Sequence, residues 1–343
     1  MNKASVGIAG AGCAGASGER AKRSGTVSDD GDGAEAAPPY RMTDRAGASA
    51  SRTLWPVDRL LLATLAALAA ATATFHPHPG PLLLVHSALA LFLWASARLG
   101  PRSRAGDALH AFAPLVVIIG VFETVGFVVG AANSARWDTV LAAVDARLFG
   151  ALVPAWRGAL GRPAWLSDVL SAFYVSYYPV PAAMGVALFV RGRREDFDRF
   201  VFALQLTLIV SYLGYFFFPT SGPRVPPEAA QAMLGGGTVS AAVRQFLHSS
   251  ELNTLDAFPS GHTAVSLVFL AYGWRMLPRW RAPLAVVVAG IIFSTVYLSH
   301  HYVIDLVAGA LLAAAVLAAM PRVHRAFGLA PGAFVAANDS SPG

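Results

Sequence analysis

Long apolar runs, rather than alternating apolar and polar positions, dominate the chain from Val57 onward. Eight stretches follow one another, roughly 57–75, 81–97, 109–131, 165–190, 201–218, 261–277, 283–300 and 301–320. Most approach the ~20 residues that a helix needs to cross a hydrocarbon core about 30 Å thick. They predict an all-α, polytopic transmembrane helix bundle of about eight spans. The first two form a hairpin turned at His76-Pro77-His78-Pro79-Gly80, and the last two abut at His300-His301, which requires a tight turn. Residues 1–52, rich in Gly, Ala, Ser and charge, read as a disordered cytoplasmic tail without a signal peptide. The membrane domain is assigned to residues 53–325 and a C-terminal tail to 326–343.

Composition supports the membrane assignment. Of 343 residues, 55% are hydrophobic and 13% charged, against about 25% charged in a soluble domain, which excludes an ordinary soluble enzyme. The net charge of +6 raises the question of nucleic acid, and the placement of the arginines answers it. With alternating spans, the N-terminal tail through Arg59, Arg98-to-Arg104, Arg191-to-Arg199, Arg275-to-Arg281, Arg322 and Arg325 all fall on one side. That bias marks the cytoplasmic face. It predicts a multi-pass protein of the inner or plasma membrane, with both termini cytoplasmic, the bilayer as its partner, and no nucleic acid. Cys13 is the only cysteine, so no internal disulfide or zinc–thiolate site can form.

Three segments carry chemistry, and the alternation puts all three at the outer, periplasmic or exterior face. They are Pro219-Thr220-Ser221-Gly222-Pro223-Arg224, Phe258-Pro259-Ser260-Gly261-His262 and His300-His301-Tyr302-Val303-Ile304-Asp305. His301 and Asp305 share a helix face at i and i+4. A carboxylate there fixes one ring nitrogen as N–H and leaves the other as a nucleophile; alone, the pair could equally just pack helices. Gly261 admits an anion to the backbone at a helix start, and Ser260 can donate to it. His262 can protonate a leaving oxygen; alone, it could be a satisfied interfacial histidine. Arg224 offers a bidentate phosphate clamp, or is an ordinary loop arginine. Together the set suits phosphoryl transfer through a phosphohistidine, with His301 attacking phosphorus, Asp305 orienting it and His262 as acid and then base. Arg224, Ser260 and Gly261 would hold the phosphate. No cofactor is expected and no metal, because the H-x-x-x-D spacing places no third ligand.

These segments resemble the type 2 phosphatidic acid phosphatase superfamily, which also contains the vanadium haloperoxidases. Its motifs are K-x6-R-P, P-S-G-H and S-R-x5-H-x3-D. The second stands intact at Pro259–His262, the third as Ser294-Thr295, five residues, His301, three residues, Asp305, and the first as Arg224 alone. The resemblance covers about residues 135–320. It implies a six-helix phosphatase-like core and the same roles for His301, Asp305 and His262. Phe217, Val225 and Thr295 stand where the family carries Lys, Pro and Arg. The G-P-R, P-S-G-H and H-H-Y-x-x-D pattern, with Asp138 and Asp145 upstream, is similar to the branch of inositol phosphorylceramide synthases and, more distantly, sphingomyelin synthases.

Other polar residues receive plainer assignments. Glu123, inside the third span, is either functional or an acid hydrogen-bonded between helices. Tyr174, Tyr177 and Tyr178 read as interfacial anchors, Asp256 as an ordinary loop carboxylate, and His300 as a supporting residue. The function expected first is an integral-membrane lipid phosphatase acting on a phosphate ester or diphosphate. The alternative is a headgroup transferase that passes its phospho-group to an alcohol or sugar acceptor. The two missing cations favour a diester, which carries less charge. A transporter is disfavoured, because no inverted repeat or broken midplane helix stands out.

Overall fold

Twelve α-helices and no strand make up the described residues of a computed structural model, which are 54–161, 163–224, 237–250 and 252–329. The expected tail at 1–52, with Cys13, lies outside them, as do Val225 and residues 330–343. In chain order the helices are α1 (Pro56–Phe75), α2 (Pro79–Leu99), α3 (Arg104–Ala132), α4 (Asp138–Phe149), α5 (Leu152–Leu160) and α6 (Ala164–Ser176). There follow α7 (Pro179–Val190), α8 (Arg194–Phe217), α9 (Thr238–Ser250), α10 (Gly261–Met276), α11 (Arg281–Tyr297) and α12 (Val303–Phe327). The fold is an all-α polytopic bundle. Among the described residues, six helices are long and apolar enough to cross a membrane: α1, α2, α3, α8, α11 with its preceding turn, and α12.

Two segments differ from expectation. The stretch 165–190 is not one straight span but α6 and α7, bent by 42°. Pro179 opens α7, and a proline lacks the N–H that would continue the hydrogen-bond ladder of α6. The loop expected at 132–164 contains α4 and α5, bent by 69° about Gly150 and Ala151. Asp138, Asp145 and Arg147 made this stretch look like a loop, although its apolar positions suffice for a short amphipathic helix.

α10 is the central helix. Val268 and Phe269 are wholly buried, and Val265 and Tyr272 nearly so, in one core cluster with residues of α7, α8, α11 and α12. Its 16 residues rise about 24 Å, less than a hydrocarbon core of about 30 Å. A second cluster joins α1, α2, α3 and α8 through Leu61, Leu93, Val117 and Phe202. α1 and α2 form the expected hairpin. At the end of the bundle away from the histidine motifs, His110 Nε2 lies 2.8 Å from Asp58 Oδ2, tying α3 to α1. Arg193 Nη1 donates to Met276 O at that same end, and Arg59 Nη2 to Phe327 O. Thus the arginine-rich loops gather at one end and the three chemical segments at the other.

Candidate active site

Ser260 caps α10, its hydroxyl accepting from Thr263 N at 3.3 Å. The cap is held from two sides. Gly214 of α8 lies so close to Pro259 that a Cβ would collide with the proline ring. A Cβ at Gly309 of α12 would stand 2.5 Å from Ser260 O. Ser260 N donates to Asp305 O at 3.1 Å, so the P-S-G-H segment is bonded directly to the start of α12.

Asp305 is fully buried, and its Oδ2 accepts from Tyr302 N at 2.8 Å. The same oxygen lies 3.4 Å from His301 Nδ1. That is ion-pair distance without the alignment of a hydrogen bond, and it leaves Nε2 on the opposite ring edge. The turn that presents His301 hangs from Thr295 O, which accepts from both His300 N and His301 N. The His262 ring stands edge-to-face with His301, centroids 5.7 Å apart. His262 Nε2 is buried with no protein partner. The structure therefore brings His301, Asp305, His262, Ser260 and Gly261 into one cluster.

Arg224 arrives differently from expectation. Its Nη2 donates to Asp256 Oδ1 at 2.7 Å, so Asp256 is a buried ion-pair partner and not an ordinary loop carboxylate. The Arg224 loop is fixed by Asp138, whose Oδ1 accepts from Ser221 N and Gly222 N at 2.9 and 3.0 Å. Gly222 has φ +74°, and a Cβ there would lie 3.0 Å from His300 O, a place that only glycine fits. Asp145 performs a parallel task, with Oδ1 accepting from Ile304 N at 2.9 Å in the first turn of α12. Both aspartates were noticed in the sequence only as a weak likeness. Their spacing of seven residues, which puts both on one face of α4, is the signal that the sequence carries. Arg157, not singled out before, donates through Nη2 to Tyr297 O at 2.9 Å and Ser299 Oγ at 2.6 Å, closing the end of α11.

The tyrosines also depart from the anchor assignment. Tyr174 is buried and stacks on His262 at 4.7 Å and on His300 at 4.3 Å. Tyr177 packs on His262 at 4.2 Å, and only Tyr178 is substantially exposed. Burial, with the charges of Arg224, His301 and Arg244 adding to it, pushes the pKa of His300 down to about 3, so this ring is neutral. At the motif positions that lack the family's cations, Phe217 is exposed at the end of α8. Thr295 is buried, and its hydroxyl donates to Ile292 O at 2.7 Å. Among the described residues, no three His, Cys, Asp or Glu side chains gather as metal ligands would.

His262, Gly261 and Asp256 border a cavity of about 570 Å³ that runs down between α3, α7 and α8, a volume typical of ligand sites. Glu123 lines its upper part and accepts from Leu252 N at 3.0 Å, so it also fixes the loop that leads into Pro259.

Residues 139–330, more than half of the chain, match the PAP2 superfamily. The chain belongs to the PAP2 superfamily. Over 159 residues it is 26% identical to a phosphoinositol dihydroceramide synthase of Bacteroides thetaiotaomicron, a match that takes in 42% of this chain and 52% of that protein. The chain thus spans about half the length of this curated relative. No solved structure matches. Family and relative together support an integral-membrane enzyme acting on a lipid phosphate, as phosphatase or phosphotransferase.

Proposed function

We propose that this chain is a metal-independent phosphotransferase that moves a phosphate-bearing headgroup between membrane lipids through a phosphohistidine on His301. The observation that carries the proposal is the His301–Asp305 pair facing His262 at the mouth of an apolar cavity. In the first step the Nε2 lone pair of His301 attacks phosphorus, an N–P bond forms and the P–O bond to the departing alcohol breaks. His262 gives that oxygen its proton. Asp305 balances the positive charge that grows on the His301 ring. In the second step an acceptor hydroxyl passes its proton to His262 and attacks phosphorus, and the N–P bond breaks to free His301. Arg224, Ser260 and Gly261 hold the non-bridging oxygens.

Water in place of the acceptor would give the lipid phosphatase that the sequence ranked first. Two features favour transfer instead. Arg224 brings its own counter-ion in Asp256, which suits a singly charged diester better than a doubly charged monoester. Beneath a polar rim, the cavity that His262 borders is lined mostly by apolar side chains, which suits a lipid alcohol as acceptor. Likeness to the Bacteroides protein points to a phosphoinositol headgroup and a dihydroceramide-like acceptor. The arginine-rich end supports cytoplasmic termini and a site on the periplasmic or exterior side of the inner or plasma membrane. The functional unit is residues 53–325, with the catalytic core at about 135–320.

The test uses purified full-length protein and His301→Ala in lipid nanodiscs with EDTA, supplied with labelled monoester, diphosphate and diester lipids with and without acceptors. An acceptor-dependent new phospholipid that disappears in the variant is the expected result. Free phosphate without acceptor would establish hydrolysis. Activity that survives the substitution, or is lost to EDTA in the wild type, would overturn the mechanism.

A further inference from the structure

The cavity beside His262 has two distinct parts. Its upper rim is a ring of hydrogen-bonding side chains, Glu123, Tyr177, Tyr212, Tyr215 and Asp256. Tyr177 packs on His262, and the Tyr215 hydroxyl lies 3.0 Å from where a Cβ of Gly261 would be, so the ring directly adjoins the proposed catalytic histidine. Among the described residues that line the cavity there are two carboxylates and no lysine or arginine. With Asp256 already paired to Arg224, this rim offers hydroxyl and carboxylate hydrogen-bonding groups that suit an alcohol or amide. Below it the walls are hydrocarbon and phenyl apart from the amide of Gln205, and at the bottom the Phe112 ring packs 5.6 Å from Phe197.

The length of the cavity from floor to rim follows from the helices. Ala111 to Glu123 on α3, and Phe200 to Tyr212 on α8, are each twelve steps along a helix, a rise of about 18 Å. An extended alkyl chain with tetrahedral bonds of ~1.5 Å advances about 1.25 Å per carbon, so the cavity matches about 14 carbons. Leu115 and Ile119 of α3 line it and remain exposed, so its wall is open on the α3 side.

We infer that this cavity seats one hydrocarbon chain of the neutral lipid alcohol whose oxygen His262 serves, and that the phenyl floor measures its length. The inference rests on the phosphotransfer proposal above and deepens it. Because His262 acts on the leaving alcohol in one half-reaction and on the accepting alcohol in the other, both lipids use the cavity in turn. Each presents its hydroxyl at the tyrosine–carboxylate rim, while the phosphoryl group stays on the His301 and Arg224 side.

Gly185 of α7 is the means of testing it. It lines the cavity about 10 Å below Tyr178, counting seven residues of helix. A Cβ there would meet only Phe197 at 3.6 Å and Phe200 at 4.0 Å. Gly185→Leu therefore fills the lower cavity, and Phe112→Ala deepens it. Each full-length variant, in phosphatidylcholine nanodiscs, would be given a fixed donor and a series of N-acetyl amino alcohols with short, matched (about 14 carbons) or overlong chains. The ratio of matched-chain to short-chain kcat/KM should fall at least about tenfold in Gly185→Leu, and the preferred chain should lengthen in Phe112→Ala. A merely destabilised protein would lose both rates alike and keep the ratio.

A matched-chain alcohol with a terminal diazirine gives a readout that does not need turnover. It should label the peptides carrying Phe112 and Phe200 in wild type and lose them in Gly185→Leu. Labelling without turnover would uphold the chain site while the phosphotransfer proposal fails. Unchanged ratios, or labelling that Gly185→Leu does not alter, would overturn the chain site even if transfer is active. Equal displacement of the probe by the same-chain phosphate monoester would overturn the assignment to the neutral alcohol.

Discussion

Replacing Asp305 with Asn tests the centre of the mechanism, because it removes a charge and almost nothing else. The side chain is fully buried, and its Oδ2 accepts from Tyr302 N while standing 3.4 Å from His301 Nδ1. An amide oxygen can still accept from Tyr302, so the first turn of α12 keeps its hydrogen bond. It loses a favourable charge at a helix N-terminus, which costs about 0.3–1 kcal/mol. The catalytic loss should be larger. His301 becomes cationic when it bonds phosphorus. A full charge pair at 3.4 Å is worth about 5 kcal/mol at an effective dielectric of about 20. At 1.36 kcal/mol per decade, this bounds the loss at roughly 4,000-fold, and a fall of about 100- to 4,000-fold in the rate of phosphoenzyme formation is expected. A single-turnover measurement with labelled donor, quenched at short times, reads that step directly, and thermal denaturation of the same sample reads the fold. A rate within about threefold of wild type with an unchanged melting point would refute the assignment of Asp305 as the electrostatic partner of His301.

Further outcomes follow from the same geometry. Arg224→Gln should raise donor KM and lower kcat/KM by about 10- to 100-fold, and combining it with Asp256→Asn should give a non-additive loss in a double-mutant cycle. Asp145→Ala removes the acceptor for Ile304 N and should cost about 1–2 kcal/mol of stability, seen as a lower melting point. His300 is held at about 3 against the usual 6.5, so the unfolded chain takes up a proton that the folded chain refuses. The stability contributed by neutral His300 is complete above pH 6.5 and is lost as pH falls toward 3, by up to about 1.4 kcal/mol per unit. His300→Phe should therefore show a shallower fall of melting point between pH 6.5 and 5 than wild type.

Much of the bundle was legible because membrane spans announce themselves by length and apolarity, with no tertiary knowledge needed. The hairpin at His76–Gly80 and the turn at His300-His301 were legible for the same reason: too few polar residues separate the runs for anything longer. The bend at Tyr177–Tyr178 was carried by Pro179 but hidden inside an unbroken apolar run. Helices α4 and α5 were hidden because their charges mimic a loop. At the site, His301, Asp305 and His262 could be placed at one depth by counting spans. The Arg224–Asp256 pair joins residues 32 positions apart, and no local spacing encodes it. Nor does any rule of sequence distinguish Tyr174, sandwiched between two histidines, from the exposed Tyr178 four residues further along. Those differences arise only when α6 is set beside His262 and the turn that carries His300.

The contacts at Gly214, Gly309 and Ser260 have a mechanical consequence. Two helices press directly on the backbone of the P-S-G-H segment, and Ser260 N is bonded to Asp305 O. The spacing between His262 and His301 is thus set by main chain against main chain, the stiffest coupling a helical protein has. Stretching or thinning the bilayer tilts and slides whole helices, but it acts first on the lipid-facing wall of α3 and α7. In membranes of different thickness, the chemical step should therefore hold nearly constant while lipid capture and release vary. On the proposed function, a reaction centre held by main-chain contacts would thus stand beside the cavity wall through which lipid is taken up.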